Sequence, residues 1–296
     1  MLPGGRLHLQ DGPIDLVIQA WGAPIAIAEA YRAATLRTAS VLDELCSELP
    51  LLRVPGARAA EGEVARLMQR AVQPYEAECF ITPMAAVAGS VAEAVLESMM
   101  AAPLERVTVN NGGDIAISLA PGQHVVAGMV ARPDQLRLFG QMRIEADHAT
   151  RGVATSGFGG RSDTFGIADA VTVVARSASE ADAAASMVAN AVDLPGHPAI
   201  TRGPSNRAQS DLGDRPVTHS VGALSGEEIA VALERGAVAA RTLLARGLLD
   251  AAALHLRGVT VLVQGEGRFK LLRDGRPSLT AANDAAVASV KSSHKK

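Results

Sequence analysis

Residues 107–120, VTVNNGGDIAISLA, constrain this chain more than any other stretch. A β-branched alternation runs up to Asn110, breaks at Asn111-Gly112-Gly113-Asp114, and resumes at Ile115. That pattern is strand, glycine turn, strand. HVVAGMVA (124–131) and LRLFGQMRIEA (136–146) read as further strands. GVATSGFGG (152–160) is a strand entering a glycine-rich loop, and ADAVTVVA (168–175) is a buried strand. The middle of the chain therefore reads as a run of strands.

The flanks are helical. After a half-buried strand at 14–20, apolar residues recur at helical spacing from Pro24 to about Leu49, where Pro50, Pro55 and Gly56 stop the pattern. A second helix is expected over 61–73, and a third opens at Pro83, since proline suits a first helical turn. Ser179 can cap a helix running to 192, and another helix spans Gly226 to about Arg246. Residues 194–224, rich in Pro, Gly and Ser, read as a long loop of the kind that often carries function. The chain closes on a hairpin, GVTVLVQ and RFKLLRDG about Gly265-Glu266-Gly267, followed by a basic tail at 291–296. Helices first, then strands, with one helix set between strands, predict an α+β fold: one domain over 1–290 with a mixed or antiparallel sheet and packed helices.

Composition narrows the function classes. A net charge of −3 supplies no global basic field for nucleic acid or anionic membrane. The most apolar helical stretches carry Glu, Arg or Asp, so no membrane span is expected. Cys46 and Cys79 form no CxxC, which argues against zinc or a disulfide framework. Two unpaired thiols without an export signal point to the cytoplasm. Self-association is left open.

Three features could carry chemistry. Paired glycines at Gly112 and Gly113 reach positive φ cheaply and bare their backbone N–H groups, which suits either a hairpin turn or close approach to a phosphate. The loop TSGFGGRS (155–162) offers glycines, hydroxyls and a guanidinium, without the Gly-Lys-Ser/Thr of a Walker loop. Asp182 and Ser186 stand one helical turn apart on one face, where a carboxylate and a hydroxyl can hold Mg²⁺, or equally be a solvated Asp and a small packing Ser. Asp169 is a second acidic candidate, or a strand-end residue capping a turn. The histidines are scattered and form no arrangement for nucleophilic catalysis.

In their order, PMAAVAGSVAEAV (83–95), VNNGGDI (109–115), VATSG (153–157) and VTVVARSASEADAAAS (171–186) resemble the ApbE-like superfamily of flavin transferases. The phrases PMAAVAG, NGGDI and ADAV are closer still to a branch found in bacteria and archaea. The resemblance is specific over about 80–193. It implies a single ApbE-type domain with a flavin nucleotide, FAD or FMN, between the glycine loops and the helix of Asp182. Asp182 and Ser186 would hold Mg²⁺. Asn111, Gly112, Gly113, Asp114, Thr155, Ser156 and Gly157 would lie along the nucleotide.

The departures bear on reaction type. Ala88-Gly89 stands where the transferases have Lys-Gly, and Glu93 stands for an Asp. GGRSDTFGIAD replaces a His-x-x-Asp-Pro segment, with Arg161 near the histidine's place. Losing a histidine base would remove a group worth about 10²–10⁴ in rate, and Arg cannot replace it because its pKa is too high. Three functions follow: a Mg²⁺-dependent enzyme on a flavin pyrophosphate, acting by transfer or hydrolysis; a non-catalytic flavin- or nucleotide-binding accessory protein; or an enzyme on an unrelated small substrate.

Overall fold

Alternation along the strands splits the apolar side chains between two faces, and each face has its own cover. The computed structural model describes residues 1–132, 135–207, 210–264, 269–271 and 285–287. Its strands are β1 (Leu7–Asp11), β2 (Ile14–Gly22), β3 (Leu104–Asn111), β4 (Asp114–Leu119), β5 (His124–Arg132), β6 (Gln135–Glu145), β7 (Gly152–Ser156), β8 (Ala170–Ala175), β9 (Ile200–Gly203), β10 (Val217–Val221), β11 (Ala251–Leu256), β12 (Val259–Gln264), β13 (Phe269–Leu271) and β14 (Ala285–Val287). Its helices are α1 (Pro24–Leu52), α2 (Glu63–Val72), α3 (Val87–Met99), α4 (Ala178–Ala191) and α5 (Gly226–Ala245).

Eight strands form the main sheet in the order β1-β2-β3-β4-β7-β8-β11-β12, every pair antiparallel. On one face, Leu16, Ile18, Val107, Val109 and Ala116 meet α1, α2 and α3. Val171, Val173, Ala252 and Leu254 meet α4 and α5 on the same side. On the other face, Ile115, Ile117, Val153, Val174 and Ala253 pack against Val125, Met129 and Met142 of a smaller sheet. That sheet has the order β13-β6-β5-β14, antiparallel except where β14 runs parallel to β5. The α+β expectation holds, with three layers: helices, main sheet, second sheet.

Several local expectations are corrected. Pro50 does not stop α1, which runs on to Leu52; Leu52 is fully buried and anchors the last turn beyond the proline. Ser177, not Ser179, caps α4, its hydroxyl accepting from the N–H of Glu180. Ser179 lies inside the helix, where its hydroxyl and its N–H both donate to Glu93 of α3. The third helix begins as a 3-10 turn, Pro83–Ala86, before α3 proper. The 194–224 excursion is not structureless: β9 and β10 form an antiparallel ribbon within it. The closing hairpin pairs differently from expectation. β12 pairs with β11, while β13 joins β6 in the second sheet. The Gly265-Glu266-Gly267 turn and the basic tail lie outside the described residues. Among the described residues no helix is long and apolar enough to cross a membrane.

Candidate functional site

The site is organised by a contact between two helix backbones. Gly89 of α3 lies so close to α4 that a Cβ there would stand 2.2 Å from the carbonyl oxygen of Ala178. Glycine removes that obstacle, and its N–H, brought within reach, donates to Oδ2 of Asp182 at 2.9 Å. Asp114 opens β4 directly after the glycine turn, and its Oδ1 accepts from the N–H of Thr155 at 3.1 Å. Two carboxylates are thus buried near each other at the junction of α3, α4 and the main sheet.

Their protonation follows from that burial. Desolvation pushes Asp114 up to about 7, against the opposing pull of the Thr155 N–H and the Arg161 charge. Asp182 is raised well above the usual carboxylate range, first by burial and then by the charge of Asp114, with the N–H groups of Gly89 and Ala88 working the other way. Asp114 thus accepts from one backbone N–H and Asp182 from two. A divalent cation shared by the two carboxylates would relieve both the desolvation and the mutual repulsion. The donor set, two carboxylates with the Ser186 hydroxyl in the same lining, is all oxygen, the ligand type that hard divalent cations take. Among the described residues no group of three or more His, Cys, Asp or Glu is placed to hold a metal, so the protein alone would leave the coordination shell open.

Asp114 and Asp182 form the floor of a cavity of about 570 Å³, a size suited to a small ligand. Thr155, Ser156, Gly157 and Ser186 also line it, so six of the residues singled out in the sequence converge there. Asn111, Gly112 and Gly113 stand outside the lining. The Asn111 amide bridges the Ala88 carbonyl and the Asp15 N–H, tying the hairpin to α3. Gly113, at φ +121°, donates its N–H to Asn110 Oδ1, closing the turn. Gly112, at φ +66°, supports the guanidinium of Arg161: a Cβ there would fall 1.8 Å from Nη2. Asp169 is not in the cavity, since its carboxylate accepts from the N–H of Arg257 and caps that turn.

Sequence reasoning missed the opposite wall. Phe80 and Phe165 meet edge to face with centroids 6.4 Å apart, and the guanidinium of Arg215 lies 3.5 Å over the Phe80 ring. Asn190 holds Phe165 in place, its Oδ1 accepting from the Phe165 N–H at 2.9 Å and the Thr164 hydroxyl at 3.0 Å. Asp182, Ser186 and Asn190 follow one another at four-residue spacing, so one stripe of α4 serves both ends of the cavity. Arg207, Ser210, Asp211 and Leu212 of the 194–224 excursion complete the wall, where Asp211 accepts from Thr82. Two signals could have found this wall: aromatics are only 3% of the chain, so each phenylalanine is conspicuous, and the excursion is of a length that structureless loops rarely reach.

Fold and site together define an α+β protein with a buried carboxylate pair beneath a ligand-sized cleft. The family model described as AbpE bacteria matches residues 1–268, and the chain belongs to that ApbE-like family. Among its relatives, a UPF0280 protein of Methanopyrus kandleri is 38% identical over 170 residues, which cover 56% of this chain and 65% of that protein. A UPF0280 protein of Methanosarcina barkeri is 40% identical over 115 residues, 38% of this chain and 44% of that protein. The matched stretch is thus less than two thirds of either relative. Among solved structures, the flavinyl transferase ApbE of Pseudomonas stutzeri in its apo form superposes with a TM-score of 0.40 at 11% identity, covering 88% of this chain and 94% of that one. At that level the likeness is a distant one of shape.

Proposed function

We propose that the cavity is a flavin-nucleotide site, with Mg²⁺ held by Asp114, Asp182 and Ser186 at its floor and the flavin ring against Phe80 and Phe165. One observation carries the reading: a buried carboxylate pair and an aromatic pair face one cavity, joined by the α4 stripe of Asp182, Ser186 and Asn190. A planar aromatic ligand gains from offset or edge contacts with such rings. Its phosphates would approach the floor, where a bound cation neutralises charge on phosphate oxygens. Membership of an ApbE-like family agrees with a flavin ligand. Ser156 and the backbone of Gly157 would serve as additional phosphate donors from the loop after β7.

Among the described residues no histidine lines the cavity, and Arg161 cannot accept a proton at neutral pH. The histidine base of transfer is therefore absent from this lining, while retention of intact FAD needs no acceptor and slow hydrolysis of its pyrophosphate uses water. Incubation of the protein with FAD, Mg²⁺ and a threonine-containing acceptor peptide tests this. Chromatography is expected to show bound FAD or slow release of FMN and AMP, with the peptide mass unchanged. Stoichiometric flavinylation of the peptide would overturn the reaction reading; failure to retain any flavin would overturn the ligand reading as well.

A further inference from the structure

The loop that carries Arg161 is fixed at its base. The N–H of Phe158 donates to the Ala168 carbonyl at 2.7 Å, and that of Gly160 to the Gly157 carbonyl at 3.0 Å. At its far end, Arg207 donates to the carbonyl of Arg161 and pairs with Asp163, Nε to Oδ2, at 3.3 Å. The backbone of Arg161 is therefore placed, and its guanidinium reaches across to the hairpin turn, over Gly112. Of the other arginines about this wall, Arg207 is committed to Asp163, Arg215 to the face of Phe80 and Arg202 to Asp193. Among the described residues Arg161 forms no close salt bridge, though its charge acts on Asp114 and it lines the cavity beside the carboxylate floor.

We propose that Arg161 is the phosphate-recognising residue of this cavity and that Gly112 is its seat, so that the two act as one unit selecting ligands that carry a phosphate or diphosphate. The guanidinium presents planar, paired donors that match two phosphate oxygens, and it keeps its charge at any physiological pH. Seated on Gly112 it is held between the glycine turn and the floor, where a phosphate bound to the carboxylate-held cation would present its outer oxygens. Any side chain at Gly112 would occupy the guanidinium's place, since a Cβ would also stand 2.8 Å from Cζ. The turn's first glycine is thus required both for its backbone angle and for the neighbour it admits. The assignment rests on the flavin-nucleotide reading for its choice of ligand but not for its choice of chemical group.

Calorimetric titration of the full chain with riboflavin, FMN and inorganic pyrophosphate, each with Mg²⁺, tests it. Arg161→Gln is expected to weaken FMN and pyrophosphate by about 10–100-fold, the worth of charge-assisted hydrogen bonds. Riboflavin, which lacks the phosphate, should change by no more than about threefold, inside the usual spread for a contact not made. Arg161→Lys should restore part of the loss. Gly112→Ala should copy the pattern, and Gly112→Ala with Arg161→Gln should be no worse than Arg161→Gln alone, the mark of a shared interaction. If Gly112→Ala fails to fold, the exposed Arg161 variants still decide. Wild-type affinity of Arg161→Gln for FMN and pyrophosphate, or equal losses for FMN and riboflavin, would overturn the assignment. If the wild type binds pyrophosphate as tightly as FMN, the flavin reading falls and the role of Arg161 stands on the pyrophosphate data. If it binds neither, both fall.

Discussion

The floor and the opposite wall of the cavity are built by different means. At the floor, backbone groups do the holding: the N–H of Gly89 on Asp182, that of Thr155 on Asp114, and a contact of α3 on α4 too close for any side chain. At the wall, side chains do the holding: Phe80 on Phe165, Arg215 on Phe80, Arg207 on Asp163, Asp211 on Thr82, and Asn190 on the N–H of Phe165. The floor places two carboxyl groups against their solvation preference and needs a rigid frame to do so. The wall offers contact area and can adjust. A site that needs one charge geometry but a broader fit to a ring would divide its construction this way.

The largest effect expected from this contrast is at Gly89. Alanine in a helix interior is ordinarily better than glycine by about 1 kcal/mol. Here the added methyl would meet the Ala178 carbonyl at 2.2 Å, and only separation of α3 from α4 relieves it. Gly89→Ala should lose about 3 kcal/mol in denaturant unfolding, the upper range for overpacking. Stability equal to wild type would mean that the helix contact is looser than described and the floor no more rigid than the wall.

Asp182→Asn probes the floor's charge rather than its frame. The amide oxygen can still accept from Gly89, and the repulsion from Asp114 is removed, so unfolding free energy should stay within about 1 kcal/mol of wild type. Mg²⁺-dependent affinity for FMN should fall about 100-fold, the upper end of what substitutions beyond the ligand shell cost a metal site. Calorimetry with and without Mg²⁺ measures this, and unchanged affinity in both conditions would remove the metal role.

The smallest effect belongs to the wall. Phe80→Ala should weaken flavin binding by about three- to tenfold, the worth of an aromatic pair beyond area burial. Pyrophosphate affinity should not change. A loss of both ligands together would show that the wall supports the floor, and that the division drawn between them is wrong.

What the sequence revealed follows the same division. The hairpin at Asn111–Asp114 and the helices α4 and α5 were legible because their signals are local: a glycine turn between β-branched runs, and one-sided apolar spacing. β11 was not legible. Its residues Ala251–Leu256 are buried on both faces, so no alternation marks them as a strand. The partner of β12 was misassigned because strand identity is local while pairing is tertiary. Ser177 takes the cap, while Ser179 gives its hydroxyl to Glu93, a partner far away in sequence. In the site, Asp182 and Ser186 could be read from helical spacing, and Asn190 extends the same stripe. Phe80 and Phe165 meet only because the fold brings them together, and no local pattern announces it.

The order of strands in the main sheet has a kinetic consequence. From β1 to β12 it follows the order of synthesis, departing only where β5–β6 and β9–β10 are set aside into sheets of their own. Each strand emerging from the ribosome therefore finds its partner's edge already made, and loop closure is short for most pairings. The cavity has no such help. It gathers Pro13, Asp114, Asp182 and Leu212, and waits for the last of them. A nascent chain can thus carry most of its sheet long before it can hold a ligand, and each strand it adds presents a fresh edge to strangers, the last of them β12.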